Sequence, residues 1–313
     1  MIKVFLCFFI FSQIARAQNL EILAVDGKVL LQGKDCSSLI TQAKAINQWT
    51  AKDSGDSLAS LCRCDGPCTM DISSILPKNV LEREQTCSIQ DGPNCFNSSL
   101  VSVGILPYHR YTHKKEMAFW MNSPLCRERE AQEQVGPGDV VAIRNRLGKE
   151  IHGFVHLTPE LAYSKNGFAH KAPYKLMPPE NVFKVYGVPA NCQRIPPTRK
   201  LPLLCDRYAR YFKCESMEEF LSKNPMTDGS QKEIWSALNK EDCGLSAMAF
   251  QSLVPPALLL TSHESVKAIL ELAKMKSKDK LLPESERFYW EAIHWKADSL
   301  MRQIYQLPYV EQE

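Results

Sequence analysis

Past its first residues the sequence has no run of about 20 apolar residues, so no internal bilayer span is expected. It also has little surplus charge of either sign. Lys and Arg number 38 against 35 Asp and Glu, a formal net charge of +3 spread evenly over 313 residues. That field is too weak to imply nucleic acid as a partner. No internal repeat is visible. With 44% hydrophobic and 23% charged residues, the composition excludes a mainly disordered or collagen-like chain, and the length suits roughly two domains.

What is present begins with an export signal. Lys3 supplies a positive start, Val4 to Phe11 an apolar stretch too short to span a bilayer, and Ala15-Arg16-Ala17 a small-x-small cleavage site. The expected product is a secreted or periplasmic chain starting at Gln18, with no membrane span once the signal is cut. Cysteine usage agrees, since exported chains keep disulfides. Of the 12 cysteines, Cys7 would leave with the signal, so an odd number remains and at least one thiol is left over from pairing. Which one is left over becomes the central question.

Residues 18–80 are a Cys-rich leading segment in which Cys36 to Ala51 is partly helical and Cys62-Arg63-Cys64 to Cys68 is a tight turn. Cys62, Cys64, Cys68 and Cys87 could bind zinc, but they lack paired C-x2-C knuckles, and disulfides are expected. Residues 195–204 hold three prolines and two basic residues and read as a linker. From Cys205 onward the pattern turns helical, with i, i+3, i+4 apolar spacing over Met217 to Leu221, Ser265 to Met275 and Glu284 to Leu307.

The chemistry concentrates between these regions. Asp91-Gly92-Pro93 is a turn, Asn94 a good N-cap and Gly104 a good C-terminal cap, so Cys95 falls on the first turn of a short helix with Phe96, Leu100 and Val103 on its buried face. There the open backbone N–H groups favour a thiolate and could hold an oxyanion. Gly136-Pro137-Gly138-Asp139 leads into a strand over Val140 to Arg144. Alternation makes Ile151 to Leu157 the next strand, carrying His152 and His156, and Leu161 to Gly167 a third; one or two more are expected between Pro173 and Tyr186.

In order, Asn94-Cys95, Gly138-Asp139-Val140-Val141 and His152-Gly153-Phe154-Val155 resemble the motifs of an NlpC/P60-type, papain-like cysteine peptidase domain in an exported bacterial protein. The resemblance covers about 100 residues. It implies an α+β fold, a helix carrying the cysteine packed on a small antiparallel sheet. The chain then divides into a signal at 1–17, the leading segment at 18–80, a catalytic domain at 81–194, the linker at 195–204 and a helical accessory region at 205–313. The implied reaction is amide hydrolysis, with Cys95 as nucleophile and His152 as general base and acid. The substrate implied is an amide bond of peptidoglycan stem peptides. No cofactor or metal is required. The chain departs from the family pattern in three places: Phe96-Asn97 follows the cysteine where the family has a small Ser-Gly pair, Gly153 follows the histidine directly, and the third, imidazole-orienting position is open among Ser164, Asn166 and His170.

Two other readings stand beside the peptidase. One is a non-catalytic wall-binding or structural protein on the same fold, and the other an acyltransferase or thioesterase. His156 reads as a partly buried histidine. His109 and His113 read as parts of a polar, aromatic wall rather than zinc ligands, because nothing fixes a helix there.

Overall fold

Two glycine-tight turns and a run of alternating sequences set the architecture. In this computed structural model, residues 20–50, 58–88, 92–225, 229–239 and 262–304 are described. The expected signal at 1–17 with Cys7, together with Asp91 and Cys243, lies outside these residues. Strands β1 (Glu21–Val25) and β2 (Lys28–Gly33) form a hairpin over Asp26 and Gly27, both at positive φ, the geometry of a tight hairpin turn. Helix α1 (Cys36–Thr50) starts where Asp35 Oδ1 accepts the Ser38 N–H at 2.8 Å. It buries Leu39, Ala43 and Ile46. Strands β3 (Cys62–Cys64) and β4 (Cys68–Asp71) complete a four-stranded sheet in the order β1-β2-β4-β3.

The larger sheet has six antiparallel strands: β5 (Cys126–Glu128), β6 (Asp139–Asn145), β7 (Glu150–Thr158), β8 (Leu161–Lys165), β9 (Tyr174–Met177) and β10 (Arg207–Cys214). Their order is β5-β10-β6-β7-β8-β9. Three helices precede or interrupt it: α2 (Lys78–Leu81), α3 (Cys95–Ser102) and α4 (Lys114–Met121). Helix α5 (Pro179–Val185) follows β9. The C-terminal region adds α6 (Met217–Lys223), α7 (Gly229–Leu238), α8 (Ser262–Lys276) and α9 (Glu284–Ile304). The fold is therefore α+β, with a Cys-rich N-terminal region and C-terminal helices. Among the described residues no helix is long and apolar enough to cross a membrane.

The sheet separates two cores. On one face Leu100, Met117, Val140, Val155 and Tyr163 join a cluster that runs on into α1, the small sheet and α9. On the other face Val141, Phe154, Val182, Phe183 and Ala209 form a second, smaller cluster. The leading region is seated on the main sheet. Gly138 sits at φ +81°, and a Cβ there would lie 2.1 Å from Trp49 Nε1, so only glycine lets the end of α1 close on the turn into β6.

Two expectations are corrected. The region from Cys205 is not all helical, because Arg207–Cys214 is a strand within the main sheet, between β5 and β6. Its sequence, RYARYFKC, fits a pleated surface of aromatic and long side chains better than a helix. The proline-rich stretch before it is a loop closed by the Cys192–Cys205 disulfide. Likewise Val182 to Tyr186 is not a strand. Pro178 and Pro179 open a helix there, with proline's fixed φ preset at its first turn, and Val182 and Phe183 turn inward.

Among the described residues four disulfides are formed, at Cys36–Cys62, Cys64–Cys68, Cys126–Cys214 and Cys192–Cys205. Cys87 and Cys95 belong to none of them.

One buried ion pair holds the segment between α3 and α4. Arg110 reaches Glu116 at 3.0 and 2.5 Å with side chains 1% and 3% exposed, and Trp120 Nε1 donates to the same carboxylate at 3.2 Å. Removing one partner strands a dry charge. Glu116→Gln should therefore lose about 3–5 kcal/mol of unfolding free energy in a urea titration. A loss within about 1 kcal/mol, typical of exposed pairs, would show that this one is hydrated.

Candidate functional site

Cys95 stands where the sequence places it, at the start of α3. Asn94 has extended backbone geometry, and its Oδ1 accepts the Asn97 N–H at 3.1 Å. Its Nδ2 donates to Thr112 O at 2.8 Å. Asn97 in turn accepts the Arg110 N–H at 3.0 Å and donates to Tyr108 O. The first turn of α3 is thus clamped to residues 108–112. The helix is buried all round rather than along one face. Two of its three serines satisfy themselves inside it, Ser99 Oγ donating to Cys95 O and Ser102 Oγ to Ser98 O. Cys95 is 4% exposed.

The strand opposite decides what can meet it. A Cβ added to Gly153 would lie 3.1 Å from Ser99 Oγ and from Met117 Cε, and 3.5 Å from Phe96 Cδ1. The Gly153 face of β7 is therefore the face that α3 and α4 cover. Successive strand residues point to opposite faces, so His152 turns away from α3. Its ring stacks on Tyr186 with centroids 3.8 Å apart, and it shares its face with Phe154, which packs edge-on against Phe183. The structure does not bring His152 to Cys95; the sheet lies between the ring and the helix that carries the thiol. The cause is the spacing already visible in the sequence. A His-x-Gly order would put histidine and glycine on one face, whereas adjacent His152-Gly153 splits them between two.

On its own face His152 has company. Its Nε2 and Ser164 Oγ are 3.0 Å apart, and Ser164 Oγ donates to Asn166 Oδ1 at 3.3 Å. A hydroxyl has one proton to give, so His152 donates through Nε2–H and its Nδ1 carries the lone pair. That Nδ1 is buried and has no hydrogen-bond partner. Full burial drives His152 down to about 3, and no charged neighbour contributes. Of the three candidates for the orienting position, Ser164 touches the imidazole, Asn166 acts on it through Ser164, and His170 is exposed beyond the turn. His156 is buried on the same face as His152, its Nδ1 3.3 Å from Gly136 O. Asp139 is structural, since Arg129 and the Gly136 N–H bond its carboxylate. His113 caps α4 by accepting the Lys115 N–H.

The face that α3 does cover carries further ionisable groups, of which the sequence had singled out only His109. Register pairs Val155 with Tyr163, which puts Tyr163 and Lys165 on that face. Lys165 is fully buried, its Nζ bonded to Gly167 O and Ala169 O at 3.2 and 3.0 Å and set 5.5 Å from the Tyr174 ring centre. His109 meets the same ring edge-on at 5.2 Å. Both its ring nitrogens are buried without partners, and burial, helped by Arg83 and Lys165, lowers it to about 4. Glu84 accepts the Leu176 N–H at 2.7 Å, yet burial raises it to about 7. Strand alternation from Ser164 is the signal that could have placed Lys165 on this face; nothing local marks Glu84. The chain matches no protein-family model, no curated protein and no solved structure.

Burial of neutral His152 has a sign. Its folded value, about 3, lies below its ordinary value of 6.5, so between the two the unfolded chain binds the extra proton. The stability that this group confers is therefore complete above pH 6.5 and is lost as pH falls from there toward 3. Relative to His152→Gln, the wild type should lose about 1.4 kcal/mol per pH unit between pH 6 and 4, measured by denaturant unfolding. A flat difference would mean a solvated imidazole.

Proposed function

We propose that this is an exported, disulfide-stapled binding or structural module, built on a papain-like helix-on-sheet core that does not run thiol chemistry. The ligand class, taken from the NlpC/P60 resemblance, is the bacterial cell wall. One observation carries the reading: Gly153 faces α3, so His152 lies on the other side of the sheet from the helix carrying Cys95. A general base must reach the proton it abstracts, and the useful base has a pKa near the working pH. His152 meets neither demand, and with it the hydrolase and acyltransferase readings lose their proton carrier.

A surface suited to binding exists elsewhere. A groove of about 810 Å³ lies between α4, α6 and α9, floored by Phe119, Phe220, Phe288, Tyr289 and Trp295 and rimmed by Lys115, Glu284 and Arg287. Aromatic faces with a charged rim suit a ligand of sugars and short peptides.

Purified, insoluble peptidoglycan separates the readings. Full-length wild type and Cys95→Ala should both sediment with it and release no soluble fragments. Trp295→Ala should weaken co-sedimentation about tenfold. Release of muropeptides by wild type, lost in Cys95→Ala, would restore the hydrolase. Failure of wild type to sediment at all would remove the wall as ligand.

A further inference from the structure

The hairpin of β3 and β4 and the start of α1 bring four sulfurs to one corner of the small sheet. Cys36, the first residue of α1, is bonded to Cys62 on β3. Cys64 is bonded to Cys68, its direct partner across the β3–β4 ladder. These two disulfides touch, with Cys36 Sγ and Cys64 Sγ 3.3 Å apart and unbonded. The sulfurs of Cys36, Cys62 and Cys64 all lie within 4.8 Å of one another, and Cys68 is tied to Cys64. Cys87, which the sequence reading grouped with this set, is elsewhere, its Sγ donating to Lys171 O.

We propose that Cys36, Cys62, Cys64 and Cys68, when reduced, form a tetrathiolate site for a soft d10 cation, with Zn²⁺ the ion its chemistry selects. Tetrahedral zinc holds its sulfurs about 2.3 Å from the metal, hence about 3.8 Å from one another. Three of the four sulfurs already span that scale and the fourth, on Cys68, is bonded to one of them, so opening both disulfides asks for side-chain rotation rather than a new backbone. Three ligands come from one hairpin and the fourth from a helix start, where open N–H groups stabilise a thiolate. The balance is simple. Each disulfide takes two electrons and two protons, either from a dithiol that leaves as its cyclic disulfide or from a phosphine and one water that leave as the phosphine oxide. The cation then displaces the four thiol protons as it binds. The same four residues thus staple α1 to the hairpin when oxidised and take a metal when reduced. Cys64 is exposed and offers the reductant its point of entry.

The test uses the full-length protein reduced anaerobically with a phosphine, freed of reductant, and titrated with Zn²⁺ against a chromogenic chelator. Co²⁺ is used in parallel, because its sulfur charge-transfer bands report thiolate ligands directly. The expected result is uptake of about one ion per chain with a tetrathiolate cobalt spectrum. Cys36→Ser and Cys64→Ser should each lose that spectrum. Cys87→Ser, and a variant with Cys126, Cys192, Cys205 and Cys214 all changed to Ser, should keep it. No uptake by the reduced wild type overturns the proposal. So does unchanged uptake by Cys36→Ser or Cys64→Ser, which would place the metal on other thiols. Near-ultraviolet circular dichroism before and after metal addition checks the fold. A spectrum that appears only in an unfolded chain counts against the site.

Discussion

The close approach of α3 to β7 at Gly153 is the constraint on which the rest of this molecule turns. A helix buried on every side must lie flat against a sheet, and here Phe96 and Ser99 already stand within van der Waals range of where a Cβ would be. Once that residue is fixed as glycine facing the helix, strand alternation leaves no freedom for its neighbours. Gly153 and Val155 cannot trade places with His152, Phe154 and His156 without a change of register. The register is anchored at both ends, by pairing of Asp139 with His156 and by the shift at Ile143 and Arg144, where Arg144 and Glu150 form a buried ion pair at 2.8 Å. A single residue of spacing therefore decides which side of the sheet the imidazole serves.

Covalent ties keep that arrangement from slipping at its edge. Cys126–Cys214 joins the short outer strand β5 to β10 across 88 residues of chain, and Cys192–Cys205 closes the proline-rich loop before β10. Crosslinks that close long loops remove the most freedom from the unfolded chain and typically contribute about 2–4 kcal/mol. A three-residue edge strand such as β5 has few ladder bonds of its own. The bridge is the means by which so short a strand keeps its place, and it brings the aromatic face of β10 against β6 on the same terms.

Much of this was legible in the sequence because the signals were local. Asn94 and Gly104 bound α3 as their capping chemistry requires, and alternation located β6, β7 and β8. The α+β class was what the motif resemblance implied, and the disulfide character followed from cysteine usage beside an export signal. What failed was non-local or depended on a period counted from the wrong residue. Strand β10 lies in a stretch whose downstream neighbours are helices, and only its pairing with β6, from Arg207 with Asn145 to Phe212 with Val140, makes it a strand. Helix α5 hides in an apolar run too short for periodicity to distinguish from a strand, and its two prolines were the better guide. The sulfur group at α1 substitutes Cys36 for Cys87, a contact across the small sheet that no spacing rule contains. The candidate pair of Cys95 and His152 was assembled from motif order, and order along the chain carries no information about faces.

A histidine can be deeply buried for two opposed reasons, and its surroundings tell them apart. When a neighbouring acid or thiolate stabilises the imidazolium, burial and charge pull in opposite directions and the group titrates in a useful range. At His152 only burial acts, and nothing near it rewards a positive charge. Its donor proton goes to Ser164, whose own proton goes on to Asn166, a short neutral chain that fixes the tautomer and ends in the turn after β8. Tyr186 lies flat on the ring and brings the end of α5 down onto the sheet. These contacts are those of a side chain that joins strand, turn and helix. The one atom that contributes nothing to this packing is the partnerless Nδ1, whose lone pair costs stability without return in the structure as it stands.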